Sequence, residues 1–142
     1  MKNNLITAAG GTWFVYLENN LPLTRDGGGN LFINSVSSGF SNGWAIRNIG
    51  EPNARFRIVK YIASIPSVNY PTTDTVKIAI KWNGTTADVF VNGVKVVSAT
   101  PFTTTNMEFL GGNGSDHPKY IKQMALFPTP LSDDQCIALT TL

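Results

Sequence analysis

Carboxylates are the residues of this sequence that could most readily do chemistry, because hydrolysis of a glycosidic bond requires a pair of them. The two carboxyl groups must stand about 5–5.5 Å apart for retention of configuration, or about 6.5–9.5 Å apart for inversion. Only Asp133 and Asp134 are close in the sequence, and helix capping already explains both. The other acids are scattered along the chain: Glu18, Asp26, Glu51, Asp74, Asp88, Glu108 and Asp116. The sequence therefore predicts a protein that is not an enzyme.

A nucleophilic triad has equally little support. The chain contains one histidine, His117, which precedes Pro118 in a glycine-rich segment, and one cysteine, Cys136, which is expected on a packed helix. A G-x-S-x-G elbow is missing from the sequence. We interpret His117 as an exposed loop residue rather than as an acid, a base or a metal ligand. The single cysteine also rules out an intramolecular disulfide, so the fold must be stabilised by packing.

Calcium is the metal that the oxygen-bearing side chains would suit best, because it takes about six to eight oxygen ligands. Asp26 with Asn30, or Asn113 with Asp116, could contribute such oxygens. Neither segment has the dense acid spacing of a dedicated calcium site, and turn formation is the better explanation of these residues. The sequence predicts no metal or cofactor, with calcium as the alternative to test at these two segments.

Carbohydrate binding requires less, namely an exposed aromatic ring and a few Asn, Asp or Arg side chains that hydrogen-bond to hydroxyl groups. Residues 37–44, 69–71 and 111–120 combine such residues with glycine, serine or proline. The candidate ligand-binding residues are Phe40, Asn42, Trp44, Tyr70, Asn113, Asp116, His117 and Tyr120. For Trp44, as for Trp13 and Trp82, the alternative is a place in the hydrophobic core, where the aromatic residues of sandwiches usually lie.

The charge and hydropathy patterns argue against nucleic acid and membrane partners. The formal net charge is +2, from 11 basic and 9 acidic residues, and the basic residues form no run of the kind that binds nucleic acid. No apolar stretch approaches the roughly 18–20 residues that a transmembrane helix needs. After Lys2 the chain lacks the apolar segment of a signal peptide. Hydrophobic residues make up 42% and charged residues 14% of the 142 residues, which indicates one folded domain.

Short runs of β-branched and aromatic residues, separated by Gly, Asn, Pro and Thr, are typical of a β-sandwich or barrel. Outside the central region, strands are predicted at Thr12–Glu18, Leu31–Asn34, Gly43–Ile49, Ala54–Tyr61, Met107–Leu110 and Tyr120–Phe127. The glycine-rich residues 111–118 between the last two of these strands are predicted to form a loop.

The alternation within Ala54–Tyr61 is interrupted once. Phe56 and Val59 are expected on the apolar face, whereas the outward-facing residues are expected to be Arg55, Arg57 and Lys60. This spacing requires one change of phase near Ile58, which a β-bulge would supply.

The clearest pattern runs from Asp74 to Ser98. Apolar residues alternate with Thr, Lys and Ala up to Trp82, which predicts a strand with one buried and one solvated face. Asn83-Gly84 and Asn92-Gly93 then interrupt the β-type sequence. Asn-Gly tolerates the positive φ of two-residue hairpin turns. Two such turns in succession predict a three-stranded meander.

One helix is predicted, over Asp133–Leu139. Ser132 can cap the first turn of this helix, and Gln135 can form the reciprocal hydrogen bond of a capping box. Asp133 and Asp134 complement the helix N-terminus. Leu131 is expected to pack onto Cys136, and Ile137 or Leu139 is expected to lie against the edge of the sandwich.

The sequence KIAIKWNGTTADVFVNGVKVV, followed by a glycine-rich segment and YIKQMALFPTPLSDDQCIALTT, resembles the concanavalin A-like lectin/glucanase superfamily. More narrowly, it is similar to the laminin-G-like jelly-roll domains of bacteriophage tail fibres and other virion proteins. The family pattern after the closing strand is matched by Pro128, Leu131, Ser132, Gln135, Leu139 and Thr140. GTWFVYLE and GWAIRNIG resemble earlier strands of that family more loosely.

This resemblance implies an all-β, antiparallel two-sheet jelly-roll sandwich with one short C-terminal helix. Residues 1–142 are expected to form a single such domain, either complete in itself or cut from a longer fibre protein. The implied function is non-catalytic binding of host-surface glycans by a virion component, a homo-oligomer such as a trimer, made in the host cytoplasm. The alternatives are a structural virion domain that binds only other virion subunits, as in capsid decoration or fibre assembly, and, less favoured, a glycan-active hydrolase.

Overall fold

The computed structural model describes residues 9–17, 30–35, 43–49, 55–60, 68–71, 75–101, 107–113 and 121–142, with side chains described in 9–17, 75–99 and 121–142. The chain forms two five-stranded antiparallel sheets and one C-terminal helix, the predicted jelly-roll sandwich. The strands are β1 Gly11–Leu17, β2 Asn30–Ser35, β3 Gly43–Ile49, β4 Arg55–Lys60, β5 Val68–Pro71, β6 Val76–Trp82, β7 Thr86–Val91, β8 Val94–Pro101, β9 Met107–Asn113 and β10 Ile121–Phe127. The helix, α1, spans Asp133–Thr140.

The first sheet has the strand order β10-β1-β6-β7-β8, and the second has the order β5-β4-β3-β2-β9. The predicted meander is confirmed, since β6, β7 and β8 are consecutive and adjacent. Strand β1 pairs with both β6 and β10, so it lies inside the first sheet. Thr12, Trp13, Phe14 and Val15 are all buried, so both faces of β1 are covered: Trp13 and Val15 lie in the core cluster, and the Thr12 hydroxyl on the other face accepts from the Leu131 N–H.

The core of the first sheet follows the expected period of two. Ile78, Ile80 and Trp82 of β6 are buried, and they pack in one cluster with Trp13 and Val89. The opposite face was expected to be solvated, but Ala79 on that face is buried too. The prediction was wrong there because α1 covers it: Ala79 packs with Phe90 and Cys136.

The two turns of the meander differ. Asn92 and Gly93 both have positive φ, 48° and 80°, and lie between the paired residues Val91 and Val94, as a two-residue turn requires. At the first turn, the Asn83 N–H donates to the Thr86 carbonyl, so the central residues are Gly84 and Thr85, one position later than predicted. Gly84 has φ 94°, whereas the Asn83 side chain accepts hydrogen bonds from the Thr86 N–H and hydroxyl.

The helix begins as the sequence predicts. The Ser132 hydroxyl accepts from the Gln135 N–H at 3.1 Å, and the Gln135 side chain accepts from the Ser132 N–H at 2.8 Å. Cys136 is buried, with Leu131 and Ile137 packed against its cluster. The helix lies on β6, β7 and β8, whereas the sequence predicted a position at an edge of the sandwich. The reason is that the helix begins beside β1, where the Leu131 N–H donates to the buried Thr12 hydroxyl at 3.0 Å.

The second sheet departs from prediction at both edges. Asn69-Tyr70-Pro71 belongs to the short strand β5 rather than to a loop. Pro71 ends this edge strand, where a missing N–H costs least. Strand β9 continues through Gly111, Gly112 and Asn113, which were predicted as a loop. These glycines pair with β2, so a neighbouring strand provides the order that their own sequence lacks.

The predicted bulge in β4 does not form. The pairing of β4 with β3 is regular from Arg55 to Lys60. Strict alternation therefore places Val59 on the face of Arg55 and Arg57, and Lys60 on the other face with Ile58. A bulge would interrupt the hydrogen bonds between β3 and β4. Placing one apolar residue, Val59, on the polar face costs less than losing those hydrogen bonds.

Among the described residues, no helix is long and apolar enough to cross a membrane.

Candidate functional site

A row of polar residues crosses the whole second sheet. Register places Arg47 of β3 opposite Arg57 of β4, which lies opposite Asn69 of β5. In the other direction Arg47 lies opposite Asn30 of β2, which lies opposite Asn113 of β9. Residues directly opposite one another in neighbouring strands share a face of the sheet. We call Asn113, Asn30, Arg47, Arg57 and Asn69 the polar row.

The two faces of this sheet have different compositions. The row next to the polar row, on the other face, is Gly112, Leu31, Ile46, Ile58 and Val68. We call that side the apolar face, and the side of the polar row the polar face. Arg55 shares the polar face, two residues from Arg57 along β4. A sandwich buries one face of each sheet, and from these two rows we expect the buried one to be the apolar face. Phe32, Ala45 and Val59 share the polar face with the polar row.

The polar row carries the residue types that recognise oxygen-rich ligands. Arginine presents a planar fork of five N–H donors that matches a carboxylate, and asparagine both donates and accepts hydrogen bonds. Directly opposite residues have Cβ atoms roughly 4.5–5.5 Å apart, and the four strand spacings from β5 to β9 amount to about 19 Å. Such a row could follow a chain of sugar units, with arginine donors at its centre and amides on both sides.

The predicted site residues are only partly within the structure. Phe40, Asn42, Asp116, His117 and Tyr120 lie outside the described residues, so their assignment stays a prediction. The backbones of Trp44, Tyr70 and Asn113 are described, in β3, β5 and β9.

Register does not bring those three residues together. Trp44 lies opposite Ile33 and Lys60, and Tyr70 opposite Phe56, both in rows of the apolar face. Asn113 belongs to the polar row. From the strand geometry, Trp44 is about 14 Å from Asn113, and Tyr70 is about 19 Å from it across the sheet. Of the three, Asn113 alone shares a face with the arginines.

Sequence reasoning missed Asn30, Arg47, Arg57 and Asn69 as members of one surface. The alternation of Arg55 and Arg57 in β4 was visible as a local signal. Their alignment with Arg47 depends on strand register, which the sequence of one strand does not contain.

Each of the two segments considered for calcium has one candidate residue in a described strand, Asn30 in β2 and Asn113 in β9. Asn30 and Asn113 lie directly opposite each other at the ends of their strands. Asp26 and Asp116 lie outside the described residues. Within the part of the chain that the structure describes, no three His, Cys, Asp or Glu residues are grouped as metal ligands.

The first sheet has a charged cluster, but its members bind one another. Asp88 pairs with Lys95 at 3.0 Å and with Lys81 at 3.6 Å, and Asp133 of α1 contacts both lysines. The two ammonium groups also lie 5.5 Å and 5.6 Å from the centre of the Phe90 ring. We call Lys81, Asp88, Lys95 and Asp133 the helix clamp, since the cluster joins α1 to β6, β7 and β8.

The protonation behaviour of the helix clamp is that of a structural ion cluster. The hydrogen bond from Lys81, and next that from Lys95, lowers the pKa of Asp133. The hydrogen bond to Asp133, followed by that to Asp88, raises the pKa of Lys95. Both shifts favour the charged forms at neutral pH, so neither group is prepared for proton transfer.

Cys136 is unsuited to nucleophilic catalysis. Its side chain is buried under α1, and burial raises the pKa of the thiol to about 11. The thiolate is the reactive form, so at neutral pH this cysteine is inert.

A shallow cleft of about 160 Å³ opens beside the helix clamp, lined by Lys81, Trp82, Asn83, Thr86, Asp88 and Pro130. It is smaller than the roughly 300–1,000 Å³ of most small-molecule sites. The lysine and aspartate that line it already pair with each other. The polar row is therefore the better candidate for a functional surface.

The jelly-roll architecture is shared with several solved structures. The SAP-like pentraxin of Limulus polyphemus is 9% identical over 96% of this chain and 71% of its own, with a TM-score of 0.62. The CBM40 domain of the Ruminococcus gnavus IT-sialidase, solved with α2,3-sialyllactose bound, is 15% identical over 96% of this chain and 84% of its own, with a TM-score of 0.58. The binding domain of botulinum neurotoxin DC, in complex with SialylT, is 16% identical over 93% of this chain, with a TM-score of 0.60.

These similarities show that the jelly-roll fold is shared. This chain spans 35% of the length of the botulinum binding domain and 24% of that of the leech intramolecular trans-sialidase. No protein-family model matches the sequence, and neither does any curated protein.

Proposed function

We propose that this chain is a non-catalytic glycan-binding domain whose binding surface is the polar face of the second sheet. The observation that carries the proposal is the polar row, which aligns two arginines and three asparagines on one face. The proposal is supported by similarly folded domains solved with a sialylated sugar, such as the CBM40 domain.

A non-catalytic role agrees with the contacts of two acids whose side chains are described. Asp88 and Asp133 each contact two lysines, so both carboxyl groups already have partners within the protein. A glycosidase would need one carboxyl group of raised pKa as its general acid. Asp133 has a lowered pKa instead.

We place the domain on a virion, as part of a phage tail fibre that adsorbs to glycans of the host surface. Support comes from the resemblance of Lys77–Leu142 to tail-fibre domains. Binding at each site would be weak and reversible, and several copies on one particle would make it effective through avidity. A homotrimer is the expected assembly, put together in the host cytoplasm.

The test is a glycan array with the purified chain, together with its mass in solution from light scattering. The double variant Arg47→Gln/Arg57→Gln removes the centre of the polar row. Its matched control is Lys77→Gln/Lys122→Gln, which removes two positive charges from the first sheet. We expect the arginine variant to lose at least about tenfold in affinity, because charge-assisted hydrogen bonds contribute about 1.5–3 kcal/mol each, while the control retains binding.

A blank array from an assembled multimer would contradict glycan binding and favour the structural virion role. Equal losses in both double variants would show that net charge matters rather than the polar row. Repeating the array with a chelator tests for calcium beside Asn30 and Asn113: loss of binding would assign a metal to that end of the sheet.

A further inference from the structure

Helix α1 covers part of the first sheet with few buried side chains. Of its eight residues, Cys136 and Thr140 are buried. Cys136 packs on Ala79 and Phe90, which lie on the face of β6 and β7 that the helix covers. A helix of this length is marginal by itself, so packing and capping must hold it. Moving α1 away from the sheet therefore breaks few apolar contacts.

The main core cluster lies on the other face of the first sheet. Val15, Ile80 and Val89 belong to it, and all three are fully buried. Among the described residues of this cluster, none belongs to α1. The strands β10, β1, β6, β7 and β8 also pair with one another without a residue of the helix. The first sheet can thus keep its core and its strand pairing while α1 moves.

The N-terminal end of α1 is fastened by charge. Asp133 is the member of the helix clamp that belongs to the helix, whereas Lys81, Asp88 and Lys95 belong to the sheet. With Asp133 in place the charges of the clamp sum to zero, and without it both lysines share one carboxylate. The side chain of Asp133 is 45% exposed, so solvent and salt ions reach it. The attachment of this end therefore depends on pH and on ionic strength.

The C-terminal end of α1 is held by hydrogen bonds. The Thr140 hydroxyl accepts from the Gly93 N–H at 3.1 Å, and the Thr141 carbonyl accepts from the Lys77 ammonium group at 2.6 Å. Just before the helix, Leu131 is tied to β1 through its N–H. This bond gives a fixed point about which α1 can turn when its other contacts break.

We propose that α1 is a strap that detaches from the first sheet as a unit while the sandwich stays folded, and that the helix clamp is its fastening. Acid releases the strap by protonating Asp133, and high salt weakens it by screening the ion pairs. Asp134, the other acid of α1, makes no ion pair with a described residue. Detachment uncovers Ala79, Phe90 and the thiol of Cys136.

The direction of the pH effect follows from the charged groups around α1. Lys81, Asp88 and Lys95 face its start from the sheet, and Lys77 faces its end. In the docked helix the hydrogen bond from Lys81, and next that from Lys95, lowers the pKa of Asp133. The strap is therefore fully fastened above about pH 4, and it loosens as the pH falls through that lowered pKa.

The experiment uses the thiol of Cys136 as its probe. Cys136 is the only cysteine of the chain, and it is fully buried while the strap is docked. The full chain is treated with dithiodipyridine, which reacts with thiols even in acid, and each rate is divided by that of a peptide of residues 128–142 at the same pH. This normalised rate measures the fraction of molecules with an open strap. We expect it to rise from pH 7 to pH 3, and also in about 1 M salt, where the Debye length is roughly 3 Å.

Two controls separate detachment of the strap from unfolding of the whole domain. Val15→Ala weakens the main core cluster, so it should lower the urea midpoint of the domain but leave the normalised rate of Cys136 unchanged. The rate should also depend weakly on low concentrations of urea, because detachment exposes little surface. A rate that increases in Val15→Ala and climbs steeply with urea would show that Cys136 reacts only from the unfolded chain, and would overturn the strap.

A pair of matched variants tests the fastening. Asp133→Asn should raise the normalised rate about two- to fivefold at neutral pH, which corresponds to the loss of an exposed ion pair. It should also remove the dependence on pH and salt. Asp134→Asn removes an acid from the same turn but leaves the helix clamp intact, so it should keep the original rate and both dependences. Equal rates in the two variants, or a rate of the unsubstituted protein that ignores pH and salt, would reject the helix clamp as the fastening.

Discussion

A close contact between two residues determines how β1 can begin. Gly11 lies opposite Trp82, and a Cβ atom at this position would stand 2.5 Å from the Trp82 ring and 3.1 Å from the Phe127 carbonyl oxygen. The ring itself is buried, so it cannot move into solvent. Only glycine fits at position 11, because the side chain of any larger residue would collide with the packed Trp82 ring.

Gly11→Ala should therefore destabilise the protein by about 1–3 kcal/mol, the usual cost of overpacking a core. Urea denaturation monitored by far-UV circular dichroism would measure the loss. Trp82→Phe is the matched partner: alone it leaves a cavity and destabilises, but it frees space for the new methyl group. The double variant should be more stable than the sum of the two single effects predicts. Strict additivity would show that the ring does not cause the cost.

At the scale of elements, α1 depends on its first turn because the helix has only 8 residues. Short helices are marginal by themselves and need caps and packing. The reciprocal hydrogen bonds of Ser132 and Gln135 satisfy two backbone N–H groups that would otherwise lack partners.

Ser132→Ala should cost about 1 kcal/mol in the free energy of unfolding, the typical effect of losing an N-cap. Ser132→Asp should preserve most of the stability, because aspartate also caps. The control is Thr129→Ala, at an exposed position three residues before the cap. Chemical denaturation of the three variants separates capping from the general effect of a smaller side chain; an equal loss in Thr129→Ala would contradict the cap.

The helix clamp is the second support of α1, and it depends on pH. The folded-state pKa of Asp133 lies below its unfolded value, so its contribution is present above about pH 4 and disappears as the pH falls through the folded pKa. The folded-state pKa of Lys95 is raised, so its contribution is present below pH 10.5 and disappears as the pH rises through the raised value. The side chain of Asp133 is 45% exposed, so solvent screening limits the gain.

Asp133→Asn should cost about 0.5–1 kcal/mol at neutral pH. The difference from the unsubstituted protein should shrink as the pH falls below about 4 and through the lowered pKa of folded Asp133. Asp134→Asn is the matched control, since it also removes an acid from the first turn but lies outside the helix clamp. Denaturation curves between pH 3 and 7 would test this. A cost that is the same for both variants at every pH would contradict the ion cluster and leave only the helix dipole.

At the scale of the whole molecule, the two sheets carry different features. The first sheet carries α1, held by apolar packing and the helix clamp. The second carries the polar row. Under the proposed function, the first sheet with α1 would provide stability and the polar face of the second sheet would provide the binding surface.

The two sheets should nevertheless unfold together, as one domain of 142 residues. Trp13 and Trp82 lie in the first sheet and Trp44 in the second. In a Trp44→Phe variant, fluorescence reports only the first sheet, whereas circular dichroism reports both. We expect the two denaturation curves to coincide. Separate midpoints would show that each sheet unfolds independently and would contradict a single domain.

The sequence alone determined the features whose signals are local. The alternation up to Trp82 and the turn at Asn92-Gly93 predicted the meander, and Ser132 with Gln135 predicted the start of α1 to the residue. Each of these depends on neighbours within a few positions, where backbone sterics and capping act.

Only the tertiary structure decided which residues meet. Gly111–Asn113 became a strand because β2 pairs with it, and β4 stayed regular because β3 does. The polar row exists only through the register of five strands, and the junction of β2 with β9 joins Asn30 to Asn113, far away in the sequence. Register is set by the burial of one face over the whole sheet. That is why the sequence could identify Arg57 and Asn113 separately but could not place them in the same row.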